Sequence, residues 1–149
     1  MLNQHLNQLI TRVGADTGCG KLMREYWQPA ALKEELEGDR PVKAITLMGE
    51  DLVIYSNGEG EYGLIGRACP HRGADLCFGR LEDGGLRCAF HGWLFDHNGK
   101  CLEQPAEPAN SNFHNKIKHT AYPCIERNGI IFTYMGAGNP PPLPAFDCF

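Results

Sequence analysis

The apolar positions of this chain follow two patterns. Near the N-terminus Leu2, Leu6, Leu9, Ile10 and Val13 recur at helical spacing. This predicts a short amphipathic helix ending at Gly14. The following stretch, "TGCGKLMREYWQPAAL", supports a one-turn helix at Lys21–Tyr26, stopped by Pro29. Beyond it the apolar runs are short and are broken by glycine and asparagine turns. Val42–Leu47 and Leu52–Tyr55 flank "MGED", which reads as a four-residue hairpin turn. Gly63–Arg67 and Leu86–Cys88 read as strands, and "WLFDHNGKCLE" as two strand ends around Asn98-Gly99. "TAYPCIER" and "IIFTYMG" read as a last hairpin around Asn128-Gly129. Many short strands with little helix predict an all-β fold, a small antiparallel β-sandwich or barrel with a short N-terminal helical segment.

Composition narrows the class. The 149 residues suffice for one compact domain and a tail. The net charge of −4 argues against nucleic acid or an anionic membrane as partner, since both select a basic patch. No apolar run approaches the ~20 residues that span a bilayer. "MLNQHLNQLITRVG" lacks the basic start and continuous apolar block of a signal peptide. A cytoplasmic protein is the expectation. The cysteines, at 19, 69, 77, 88, 101, 124 and 148, are odd in number and irregularly spaced, a poor disulfide framework. In a reducing compartment clustered cysteines more often bind metal or do chemistry.

Two stretches carry the chemistry. "CPHRGAD" begins at Cys69 and places His71 two positions on; "CAFHGW" begins at Cys88 and places His91 three positions on. Both fall on loops between predicted strands, where a rigid sheet can aim them at one point. Three readings meet these residues. The first is coincidence, with buried free cysteines and surface histidines. The second is a structural zinc site, although zinc motifs usually pair cysteine with cysteine on one element and histidine with histidine on another. The third is a [2Fe–2S] cluster in which two cysteines hold one iron and two histidines the other. Two irons side by side, approached by two parallel loops, ask for one Cys and one His from each loop.

The pattern C-x-H-x16-C-x-x-H resembles the Rieske fingerprint, and "CPHRGADL…CAFHGWLFD" resembles its ring-hydroxylating oxygenase branch. The resemblance implies a Rieske-type [2Fe–2S] cluster with Cys69 and Cys88 on the inner iron and His71 and His91 on the outer, solvent-facing iron. Gly73 and Gly92 permit positive φ and close backbone approach, and Pro70 stiffens the first loop. "LEQPAEP", Leu102–Pro108, resembles the third loop that covers the cluster, with Pro105 and Pro108 as loop stiffeners. Trp93 is expected in the core and Arg72 as a solvated loop charge. His114 and His119 have H-x4-H spacing but precede the last hairpin, so no second metal is expected there. His5 and His97 are expected at the surface, and Cys19, Cys77, Cys101, Cys124 and Cys148 as unpaired thiols, with Cys148 exposed to oxidation.

Departures place the chain within the family. Respiratory Rieske domains carry a disulfide between the cluster loops and hydroxyl donors near the cluster. Here Ala74 and Phe90 occupy the disulfide positions, and Trp93 and Phe95 those of the hydroxyls. Fewer hydrogen bonds to the sulfurs predict a potential near the low end of the family range, about −150 mV. Because reduction raises the proton affinity of the imidazoles, that potential should fall with rising pH in the alkaline range.

"TGCGKLMREYWQPAAL" resembles the lead-in of phthalate-dioxygenase-like oxygenases. The expected organisation is a lead-in over 1–40, the Rieske domain over 41–138, and a proline-rich linker over 139–149 towards a missing catalytic domain. The implied function is electron transfer from a flavin- and ferredoxin-type reductase to a mononuclear non-haem Fe(II). That iron would lie in the catalytic domain of the same or a neighbouring subunit of an O2-dependent aromatic ring-hydroxylating oxygenase. The full-length enzyme would be a homotrimer, and this chain alone should turn over no substrate. A stand-alone Rieske ferredoxin is the alternative, set back by the forty residues before the first long strand.

Overall fold

The computed structural model describes residues 2–145 and 147. Two helices, α1 (Gln4–Thr11) and α2 (Gly18–Arg24), precede the strands. These are β1 (Gln28–Leu32), β2 (Val42–Leu47), β3 (Glu50–Ser56), β4 (Tyr62–Gly66), β5 (Arg80–Glu82), β6 (Gly85–Arg87), β7 (Leu94–Phe95), β8 (Cys101–Glu103), β9 (Ala121–Tyr122), β10 (Cys124–Arg127) and β11 (Ile130–Thr133). No helix among the described residues is long and apolar enough to cross a membrane.

Among the described residues the strands form three antiparallel sheets, in the orders β1-β11-β10, β2-β3-β4-β9 and β5-β6-β7-β8. The middle sheet is covered on both faces. Leu52 and Ile54 of β3 and Leu64 of β4 pack with Ala31, Ile131 and Met135 on one side. Val53, Tyr55 and Ile65 pack with Leu76, Leu86, Trp93, Phe95 and Cys101 on the other. A strand buried on both faces needs no polar face, so "LVIY" reads as a continuous apolar run. Cys69 and Cys88 belong to the second of these cores.

The N-terminal segment differs from expectation in three places. First, α1 starts on an Asn3 cap, whose side chain accepts the Leu6 N–H at 2.9 Å, and ends at Thr11 rather than Gly14. Its apolar residues are exposed. Second, α2 begins at Gly18, three residues before the expected turn, because Thr17 caps it through the Gly20 N–H at 3.1 Å. Gly20 is required there by tertiary contact: a Cβ would lie 2.0 Å from Gly14 O. Third, Pro29 lies inside β1 instead of ending structure. β1 is an edge strand, where a missing N–H costs no ladder bond. Arg24, buried at the end of α2, ties this segment to the middle sheet through Glu50 Oε1 at 2.7 Å and Met48 O at 2.9 Å.

"MGED" also folds more tightly than expected. Met48 (φ +50°) and Gly49 (φ +80°) make a two-residue turn, and Glu50 and Asp51 already pair with Leu47 and Thr46. Two left-handed residues match the twist of the flanking strands, which a four-residue connection does not need to do. The hairpin at Asn128-Gly129 (φ +51° and +84°) forms as expected between β10 and β11.

Candidate metal centre

β4 and β6 each deliver a Cys/His loop. Loop 1 spans residues 67–76 and loop 2 residues 87–94. Both close on one backbone frame. In loop 1 the Cys69 N–H donates to Ala74 O at 2.8 Å and the Gly73 N–H to Cys69 O at 2.8 Å. In loop 2 the Cys88 N–H donates to Trp93 O at 2.8 Å and the Gly92 N–H to Cys88 O at 3.1 Å. The fifth residue of each frame is a glycine at positive φ, +70° at Gly73 and +74° at Gly92. A side chain there costs roughly 1–2 kcal/mol in backbone strain. Histidine occupies the third position of the first frame and the fourth of the second. The two spacings are thus one loop design with the imidazole stepped by a residue.

The frames bring the four side chains into two pairs. Cys69 and Cys88 are 3% and 4% exposed. The Cys88 thiol and the backbone N–H groups of His71 and Arg72 lie near enough to act on the Cys69 sulfur. Burial pushes the Cys69 thiol up to about 11, the His71 N–H pulls the other way, and Cys88 adds to the rise. The imidazoles of His71 and His91 meet edge to face with centroids 4.5 Å apart. Burial, then the neighbouring His91 and Arg72, lowers the pKa of His71, which keeps its ring neutral and able to bind metal. Among the described residues His71 Nδ1 is buried with no hydrogen-bond partner.

Aromatic rings wall the site. Trp93 stacks flat on His71, with centroids 4.5 Å apart and planes 3° from parallel. Phe90 lies against His91 at 3.9 Å. Trp93 is therefore a core residue, as expected, and also a direct support of a candidate ligand. A third loop follows β8, and its Pro105 sits over Gly92: a Cβ on that glycine would lie 3.2 Å from Pro105 Cγ.

Among the described residues no three Cys, His, Asp or Glu side chains converge on a point that could hold a metal ion. The site offers a thiol pair and an imidazole pair instead. That arrangement suits two irons with two protein ligands each better than one tetrahedral zinc. A pair of buried thiols and a pair of imidazoles, one nitrogen of which is buried without a hydrogen-bond partner among the described residues, fits a [2Fe–2S] cluster, whose irons would replace the thiol protons.

The other singled-out residues lie apart. Ala74 packs against the core and Phe90 is 62% exposed, so no sulfur pair bridges the loops. Phe95 is fully buried and brings no hydroxyl. His119 is buried, with Nε2 hydrogen-bonded to Gly66 O at 2.7 Å and its ring against Phe95. His114 lies in a separate turn, and His5 and His97 are exposed. Arg72 is exposed. Cys19, Cys77, Cys101 and Cys124 are free thiols, and Cys148 lies outside the described residues.

Arginines near the two cysteines were missed in the sequence. Arg67, two residues before Cys69, grips Asp75 Oδ2 through Nε at 2.9 Å and Nη2 at 2.6 Å. Arg87, directly before Cys88, reaches Glu82, Gly92 and Glu103. The signal was their place at the base of each loop.

Comparison with known proteins agrees with this geometry. The family described as Rieske [2Fe-2S] domain matches residues 26–123. The chain is 46% identical over 142 residues to the tert-butanol monooxygenase / tert-amyl alcohol desaturase oxygenase subunit of Aquincola tertiaricarbonis, covering 95% of this chain and 30% of that protein. It is 45% identical over 138 residues to the phthalate 4,5-dioxygenase oxygenase subunit of Pseudomonas putida, covering 91% and 31%. The chain thus spans about a third of the length of these relatives. Among solved structures, the oxygenase–ferredoxin complex of carbazole 1,9a-dioxygenase superposes with a TM-score of 0.69 at 28% identity, covering 80% of this chain and 31% of that one. Paired loops on a covered sheet, a family match over most of the chain and oxygenase relatives lead to one assignment: this chain belongs to the Rieske [2Fe–2S] domain family, in the branch found in Rieske oxygenases.

Proposed function

We propose that Cys69 and Cys88 bind one iron of the [2Fe–2S] cluster and that His71 and His91 bind the other. The observation that carries this is the pairing of two buried thiols and of two imidazoles on matched loops, with His71 Nδ1 buried and without a hydrogen-bond partner among the described residues. When bound, the cluster supplies a one-electron store. The residues of the chain prepare its place. Burial keeps Cys69 protonated until metal displaces the proton. Each imidazole coordinates through one nitrogen and holds a proton on the other, where an acceptor on a partner can meet it. Trp93 stacks on His71 and Phe90 lies against His91, which fixes the planes of both rings.

We infer further that the chain passes electrons from a reductase or ferredoxin-type donor to a mononuclear non-haem iron in a catalytic domain of the same or a neighbouring subunit. Its relatives are oxygenase subunits about three times its length, and the carbazole enzyme forms a complex with a ferredoxin. Phthalate 4,5-dioxygenase supports an aromatic substrate for the whole enzyme, while tert-butanol is not aromatic, so substrate choice is assigned to the catalytic domain. We take 1–40 as a lead-in that contributes β1 to the β11–β10 sheet, 41–138 as the cluster domain and 139–149 as a linker towards the catalytic domain of a cytoplasmic, trimeric oxygenase. Anaerobic mixing with NADH and a flavin- and ferredoxin-containing reductase should bleach the visible absorbance of the reconstituted chain. Bleaching by dithionite but not by the reductase would contradict the donor assignment; no bleaching by either would contradict the cluster.

A further inference from the structure

We propose that Arg87 is a positioning residue of the metal centre: its guanidinium fastens loop 2 to the third loop, and its charge favours the reduced cluster. This rests on the ligand assignment above. Arg87 directly precedes Cys88, and its side chain is 14% exposed. All three of its nitrogens donate. Nη1 donates to Gly92 O at 2.6 Å, Nε to Glu82 Oε2 at 2.5 Å and Nη2 to Glu103 Oε2 at 2.6 Å.

Each partner bears on the site. Gly92 follows His91, so holding its carbonyl fixes the Gly92–Trp93 peptide, between the candidate ligand and the indole that stacks on His71. Glu103 ends β8 and is followed by Gln104 and Pro105, and Pro105 rests on Gly92. Glu82 lies on β5, beside β6. One planar fork therefore joins the loop that carries His91 to a strand on either side and holds the third loop down. Arg80 also pairs with Glu82, but its side chain is 74% exposed, where an ion pair contributes little. A lysine in place of Arg87 would keep the charge and lose the fork, since an ammonium is a point donor.

The charge acts separately from the fork. Reduction adds a negative charge at the site, which a nearby cation favours. Without Arg87, the charges of Glu82 and Glu103 would stand uncompensated at the base of loop 2 and disfavour the added electron.

The test uses the 149-residue chain reconstituted with iron and sulfide. Cluster loss to an iron chelator and midpoint potential are measured for the wild type, Arg87→Lys, Arg87→Met and Glu103→Gln. Arg87→Lys should lose its cluster about tenfold faster, as expected for lost hydrogen bonds to charged partners, at an unchanged potential. Arg87→Met should also shift the reduction equilibrium about tenfold towards the oxidised form, 59 mV for one electron. Glu103→Gln, at a 56% exposed side chain, should fold whatever Arg87→Met does and shift the potential the other way. A wild-type cluster lifetime in Arg87→Lys would overturn the fastening role. A potential in Glu103→Gln that is unchanged or lower would overturn the charge role. A wild type that assembles no cluster would overturn the ligand assignment instead.

Discussion

Loop 1 and loop 2 share a backbone frame and differ in everything that surrounds it. Loop 1 is closed by an isolated bridge between Ala68 and Asp75 and by the Arg67–Asp75 pair, whose side chains are 40% and 27% exposed. The space beside Gly73 is open. Loop 2 is gripped from two neighbouring strands by a mostly buried arginine and roofed by Pro105 over Gly92. The aromatic contacts cross between them, since Trp93 of loop 2 stacks on His71 of loop 1. The frame therefore sets where the ligands lie, while the surroundings set how firmly each is held. Loop 1 depends on loop 2 for the support of its imidazole.

The comparison can be broken at the thiols first, where the effect is largest. Cys69→Ala or Cys88→Ala should abolish the visible absorbance of the reconstituted chain, because each removes half of one iron's protein ligands. A retained cluster in either variant would place that cysteine outside the ligand set. Next come the glycines. Gly73→Ala meets only the left-handed strain of roughly 1–2 kcal/mol. Gly92→Ala meets the same strain and must also displace Pro105, so it should be the more destabilising and should shed its cluster faster. Equal melting temperatures for the two variants would contradict the roof over loop 2.

The midpoint potential of the wild type tests the missing hydroxyls. With Trp93 and Phe95 at the positions in question, it should lie at about −150 mV. A value above zero would show donors that the structure does not supply.

The smallest effect falls on Asp75. The Arg67 guanidinium beside it holds its carboxyl below the usual carboxylate range. A depressed carboxylate contributes stability above the unfolded-chain value of about 4 and loses it as pH falls through the lower folded value. In cluster-free chain, Asp75→Asn should melt slightly below wild type at neutral pH, and the gap should close in acid. A gap that widens in acid would reverse the sign of this interaction.

The sequence revealed the strands and the four ligand candidates more readily than it revealed their supports. The Cys/His spacings are local, and so are the Asn128-Gly129 turn and the apolar run of β3. Both glycine positions beside the histidines were legible, because a left-handed residue leaves a specific mark. What stayed hidden depended on distant partners. Pro29 could enter a strand because β11 lies on one side of β1 and, among the described residues, no strand lies on the other. Gly20 could sit in a helix because Gly14 presses against it. Arg87 looks like any surface arginine until Glu82, Gly92 and Glu103 fold around it.

Electron paramagnetic resonance of the reduced, reconstituted chain, with its metal content, tests the central claim most directly. Mixed cysteine and histidine ligation predicts about two irons per chain and a Rieske spectrum whose average g lies below that of all-cysteine clusters. A colourless chain holding one zinc, or a spectrum of the all-cysteine type, would contradict it.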